Sequence, residues 1–142
     1  MLTQFRHILV PLDFTAKNQA ALEIARDLAT QNKASVTFVH VIETIENLPD
    51  AELTAFYTRL ASRAEAELGA RAQEFANAGI RADRKILYGK RLTEIVREVR
   101  DQKVDLVVVS SHKIDPGAPV QSLGTLSYQI SILCDCPVLL VK

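Results

Sequence analysis

Asp105-Leu106-Val107-Val108-Val109, followed by Ser110-Ser111-His112, is the most strand-like run in the chain. A short, continuous apolar run suits a strand buried on both faces, as in a parallel sheet covered by helices. His7-Ile8-Leu9-Val10, ended by Pro11-Leu12-Asp13, has the same character. These two runs are expected to lie side by side at the centre of a sheet.

Working outward, strands and helices alternate. Ala21, Leu22, Ala25, Leu28 and Ala29 recur at helical spacing through Asn32, with Thr15 as the expected cap. Ala34 to Ile42 reads as a second strand, carrying Val36, Phe38, Val39 and Val41. Asp50 is placed to cap a long helix with Leu53, Phe56, Leu60, Ala64, Leu68, Ala72 and Phe75 on one face. Glu67 precedes Arg71 by four residues, a favourable order on an exposed face, and Gly79 is the natural stop. Ile80 to Leu87 is a third, more polar strand, expected near an edge and punctuated by Gly89. Leu92, Ile95, Val96 and Val99 mark a third helix. A loop from Ser110 to Val120 holds Pro116, Gly117 and Pro119, and Leu123, Leu126, Ile130 and Leu133 mark a fourth helix. Pro137 to Val141 is the last strand, and its opening proline is tolerated at a sheet edge. This alternation predicts βαβ units and a parallel sheet.

The 142 residues fit one domain, 1–142. A hydrophobic fraction of 48% is too rich for a disordered chain and supports a core without metal or disulfide staples. Lys and Arg (17) cancel Asp and Glu (17), which argues against a general binder of nucleic acid or membrane surfaces. No stretch approaches the roughly 20 apolar residues of a membrane span. Met1 to His7 has no apolar signal region, so the expected compartment is the cytoplasm. Cys134 and Cys136 form CxC before a proline rather than a redox CxxC, and are expected as half-buried small apolar residues in a reducing compartment.

In open α/β sheets ligands bind beyond the carboxyl ends of the strands, where strand order reverses. Here that crevice is expected between Pro11-Leu12-Asp13 and Ser110-Ser111-His112. Ser110, Ser111, His112 and Lys113 supply donors and one positive charge. Gly124-Thr125 sits near the start of the fourth helix, where free N–H groups and the helix dipole favour phosphate, with Ser122 as a candidate cap. The same residues also make an ordinary polar connection. Asp13 is placed either to accept from a nucleobase amide or ribose hydroxyl, or to cap the first helix. His7 and His40 lie on or beside strands and read as structural, whereas His112 lies in the crevice loop. The enzyme motifs GxxxxGK[ST], GxGxxG and GxSxG are absent, as are zinc spacings and paired carboxylates.

Several segments together resemble the universal stress protein family over essentially the whole chain. They are Ile8-Leu9-Val10-Pro11-Leu12-Asp13-Phe14-Thr15, His40-Val41-Ile42, Gly89, Asp105-Leu106-Val107-Val108-Val109, Gly124-Thr125 and Cys136-Pro137-Val138-Leu139-Leu140-Val141. The resemblance implies an α/β fold with an open five-stranded parallel sheet of order 3-2-1-4-5 and helices on both faces. Such a fold is Rossmann-like and adenine nucleotide alpha-hydrolase-like. It implies homodimers commonly paired through the last strand, here 137–141, whose apolar edge would be a liability if uncovered. One branch of the family binds ATP. Transferred by position, its adenine and ribose contacts are Pro11, Asp13 and Val41, and its phosphate loop is Ser110, His112, Lys113, Gly124 and Thr125. Ser110 and Lys113 stand where that branch has glycines, and ten residues rather than nine separate Lys113 from Gly124. A β-carbon at Ser110 narrows the approach to phosphate, while Lys113 adds a charge that Asp115 opposes.

The expected function is a cytoplasmic stress-response protein that binds an adenine nucleotide, ATP, with a modified phosphate loop. It is expected to be no enzyme and to hold no metal beyond the Mg that accompanies a nucleotide. The alternative is a dimeric interaction module without nucleotide, presenting loop 110–122 and helix 50–79 to a partner. A slow ATP hydrolase ranks last, since no base or metal-binding carboxylate cluster is visible beyond Asp13.

Overall fold

Helices follow strands in strict alternation in a computed structural model that describes residues 4–44, 50–113, 116–118 and 124–142. The elements are β1 (His7–Pro11), α1 (Asn18–Asn32), β2 (Ser35–Ile42), α2 (Asp50–Asn77), β3 (Ala82–Tyr88), α3 (Arg91–Asp101), β4 (Leu106–Ser110), α4 (Leu126–Leu133) and β5 (Val138–Val141). The strands form one parallel sheet in the order β3-β2-β1-β4-β5. The two apolar runs are indeed central neighbours, with Ile8 opposite Leu106 and Leu9 opposite Val107. Asp105 locks that pairing at its amino end, accepting from the amides of Arg6 (2.8 Å) and His7 (3.0 Å).

Alternation along each central strand divides the core in two. Ile8, Val10, Val36, Phe38, Leu106 and Val108 pack with α1 and α2. Leu9, Val39, Val41, Val107 and Val109 pack with α3 and α4. Because both faces are covered, these strands read as continuous apolar runs rather than alternating ones. Phe38 meets Phe75 of α2 edge to face, with centroids 4.8 Å apart.

Only the second half of α2 is buried, at Ala64, Leu68, Ala72 and Phe75, while Leu53, Phe56 and Leu60 are half-buried. Asp50 is the first residue of this helix rather than its cap. The helix stops at Gly79, whose φ of 82° lets the amide of Ile80 return to the carbonyl of Phe75. Both expected edges are observed. The β3 edge is laced with ion pairs, Arg84–Glu65 and Lys85–Glu98, whereas β5 exposes Leu139, and α4 exposes Ile132 and Leu133. His7 is structural: its Nε2 meets Thr37 Oγ1 (2.7 Å) and its Nδ1 meets the carbonyl of Gln102. Among the described residues no helix is long and apolar enough to cross a membrane. Ser122, Leu123, Asp115 and Pro119 lie outside the described residues.

Candidate functional site

β1 sends its chain to α1 on one face of the sheet, and β4 sends its chain to α4 on the other. A crevice opens between their carboxyl ends, at the point where strand order reverses. Pro11 helps to open it. The amide of Leu12 bonds the carbonyl of Val39 on the β2 side, so the missing N–H of Pro11 falls on the β4 side. The ladder between β1 and β4 has already ended at Leu9.

The crevice has a volume of about 410 Å³, within the range of small-molecule sites. Val39 and Val41 of β2, Ile95 of α3 and Val109 of β4 supply its apolar wall. Of the residues expected at the site, Pro11, Asp13, Val41, Ser110, His112 and Thr125 line it together. Lys113 and Gly124, both exposed, flank it in sequence but are not among its lining residues.

The β1 wall is a tight turn. Thr15 does not cap α1 with its hydroxyl, as the sequence led us to expect. Its hydroxyl and amide both donate instead to Asp13 Oδ1, at 2.7 and 3.0 Å. Asp13 thus serves the turn through one oxygen and keeps Oδ2 as an acceptor. Asn18, the first residue of α1, instead reaches back to the turn: its Oδ1 takes the amides of Asp13 (3.1 Å) and Phe14 (2.9 Å), and the N-cap residue Lys17 makes no side-chain cap bond. Phe14 adopts a left-handed φ of 65°. Its ring stacks on His40 at 4.2 Å, with the Arg63 guanidinium 5.9 Å from its centroid. His40 also lines the crevice, and its Nδ1 donates to the carbonyl of Leu12 at 2.7 Å. In the neutral ring Nε2 is then an acceptor.

The β4 wall is pinned residue by residue. Ser110 Oγ accepts from Asn18 Nδ2 (3.0 Å) and donates to the carbonyl of Lys17 (3.3 Å). Ser111 Oγ pairs with Ser127 Oγ in a buried bond of 2.9 Å, and its amide bonds the carbonyl of Val141. The Tyr128 hydroxyl donates to the carbonyl of His112 at 2.8 Å, and the two rings meet at right angles. The start of α4 therefore faces the crevice through Thr125, Leu126 and Ser127.

Four charged side chains line the crevice: Lys17 and Arg91, Asp13 and Glu43. Arg91 donates to Glu43 at 2.8 Å across the rim. Sequence reading missed Asn18, Arg91, Glu43 and Ser127. An asparagine near a helix start was the one visible hint, since its short carboxamide readily bonds nearby backbone. Among the described residues no group of three or more His, Cys, Asp or Glu could hold a metal ion. Cys134 and Cys136 are free and half-buried, in the connection leading into the amino end of β5, away from the crevice. Burial, reinforced by Cys136 and Asp135, pushes the Cys134 thiol up to about 11. Burial and then Asp105 raise Cys136 as well.

The sheet order and the crevice define a Rossmann-like α/β protein with a ligand-sized opening at its switch point. The chain belongs to the universal stress protein family, whose pattern matches residues 4–142. It is 26% identical over 148 residues to universal stress protein YxiE of Bacillus subtilis (strain 168), covering 97% of this chain and 99% of that one. Universal stress protein UspA from Lactobacillus plantarum has the same fold, with a TM-score of 0.86, 22% identity, and coverage of 99% and 100%. So does the universal stress protein from Archaeoglobus fulgidus in complex with dAMP, with a TM-score of 0.70, 15% identity, and coverage of 99% and 100%.

Proposed function

We propose that this protein binds an adenine nucleotide, ATP or a shorter relative, in the crevice and acts as a cytoplasmic stress-response regulator rather than as an enzyme. The observation that carries this reading is the juxtaposition, at the switch point, of an apolar slot with a row of hydrogen-bonding groups. Val39, Val41, Ile95 and Val109 suit a flat base, and Pro11 closes its end. Asp13 Oδ2 suits a ribose hydroxyl. Ser110, His112 and Thr125 lie on the phosphate side, with Lys113 and Gly124 beside them. A relative of the same fold holds dAMP. Any Mg would arrive with the nucleotide phosphates.

Ligand linkage gives the test. A nucleotide bound only by the folded chain raises the melting temperature with concentration. Calorimetry on the purified protein is expected to show saturable binding of adenine nucleotides. No heat at millimolar ligand would overturn this reading in favour of the interaction module without nucleotide. Phosphate release from ATP is expected to stay at the level of a crevice variant.

The chain is further proposed to form a homodimer through β5. The support is an edge strand with Val138, Leu139, Leu140 and Val141 in sequence, of which Leu139 is exposed. An apolar edge of this kind is a template for a second copy. Sedimentation should give a dimer that Leu139→Lys shifts to monomer; a wild-type monomer at high concentration would refute it.

A further inference from the structure

We propose that His40 and Phe14 form a clamp that positions the Asp13 carboxylate in the crevice and so makes the site select ligands with sugar hydroxyls. The proposal rests on the reading of the crevice as a nucleotide site. It adds two positioning residues that act on the ligand only through Asp13.

Two observations carry it. The first is backbone strain. Phe14 is the middle residue of a turn in which Asp13 Oδ1 takes the amide of Thr15 at 3.0 Å. Its φ of 65° lies in the left-handed region, which a residue with a β-carbon rarely enters and a bulky one hardly at all. Glycine fits such a position freely. Strain of this kind persists only where the surroundings over-determine it, so the Phe14 ring must gain what its backbone loses.

The second observation is what that ring meets. It stacks on His40, with centroids 4.2 Å apart and 25° between the planes, and the Arg63 guanidinium lies 5.9 Å from its centre. His40 is itself fixed, because its Nδ1–H donates to the carbonyl of Leu12 at 2.7 Å. One imidazole of β2 therefore holds both neighbours of Asp13, Leu12 by a hydrogen bond and Phe14 by stacking. Asn18 ties the amides of the same turn to α1. Anchored on both sides, the turn fixes the place of Thr15. The amide and hydroxyl of Thr15 then hold Asp13 Oδ1 and leave Oδ2 to a ligand.

The test is calorimetry on the full chain with adenosine and with 2′,3′-dideoxyadenosine, which lacks both sugar hydroxyls. The wild-type protein is expected to bind adenosine about tenfold more tightly. Phe14→Gly removes the ring while its backbone adopts the same φ without strain. It is expected to cut the preference to about twofold by weakening adenosine, with dideoxyadenosine unchanged. Phe14→Tyr keeps the ring and should keep the preference. In an Asp13→Ala background, Phe14→Gly should cost no further adenosine affinity. A thermal melt establishes that each variant folds. If Phe14→Gly does not, His40→Gln removes the stack from the other side and is read in its place, with the same pattern expected. Equal losses of both ligands would overturn the proposal, because they mark a general loosening of the crevice. So would an equal effect of Phe14→Gly with and without Asp13, or a wild-type protein with no preference. Absence of binding by both ligands would instead overturn the nucleotide reading beneath it.

Discussion

The two walls of the crevice are held in opposite ways. On the β1 side one buried side chain, Asn18, gathers two amides and a hydroxyl from across the crevice. On the β4 side three consecutive residues are pinned separately, Ser110 to α1, Ser111 to Ser127 and His112 to Tyr128. The first arrangement concentrates its stability in one residue, and the second distributes it. A single substitution therefore reshapes the site on the β1 side and is absorbed on the β4 side.

The largest effect is expected from Asn18→Ala. It strands two amides and removes the bond that Ser110 Oγ accepts, so a loss of about 2–4 kcal/mol is expected in urea unfolding. A loss no larger than that of a β4-side variant would show that the walls do not differ. Asp13→Ala comes next. It removes Oδ2 and the turn contacts of Oδ1, and should weaken adenosine and AMP alike by about tenfold, read by calorimetry. Unequal losses would place Asp13 near the phosphate instead of the nucleoside.

On the distributed wall the effects are smaller. Ser111→Ala leaves the buried Ser127 hydroxyl unpaired and should cost about 1–2 kcal/mol, whereas adding Ser127→Ala should cost little more. Strict additivity of the two would mean that the Ser111–Ser127 bond contributes nothing. Tyr128→Phe removes one bond to the carbonyl of His112 and should lower stability by about 1 kcal/mol. The smallest effect lies away from both walls, at Cys134. Its thiol stays protonated until about pH 11, above the ordinary value of 9.0, so iodoacetamide labelling at pH 8 should be slower than in the unfolded chain. A raised thiol stabilises the fold fully below pH 9.0 and loses that contribution as pH climbs toward about 11. Rapid labelling of the folded protein at pH 8 would contradict the burial.

The sequence was most legible where the chain is most apolar. His7–Val10 and Asp105–Val109 read as doubly buried strands because each side of each strand meets a helix, and the crevice followed from placing them together. Pro11, Asp13 and Ser110 were found in this way. Asn18 was not, because the partner that ties it to the far wall of the crevice is distant: Ser110 lies 92 positions away. Thr15 was a reasonable cap on local propensity, yet its hydroxyl turns back to Asp13 and α1 begins at Asn18 with no side-chain cap. Arg91 and Glu43 were invisible for the same reason, standing 48 positions apart on a rim that exists only after folding.

The pairing of β1 with β4 has a consequence for the birth of the protein. The carboxylate that clamps Arg6 comes from Asp105, 99 positions later. At a synthesis rate of about 5–20 residues per second, the inner edge of β1 waits roughly 5–20 s for its partner. During that interval the nascent chain has three strands and three helices with their most apolar edge bare. Crowding of nascent chains in that window favours mispairing over folding, so this architecture is most vulnerable before it is complete.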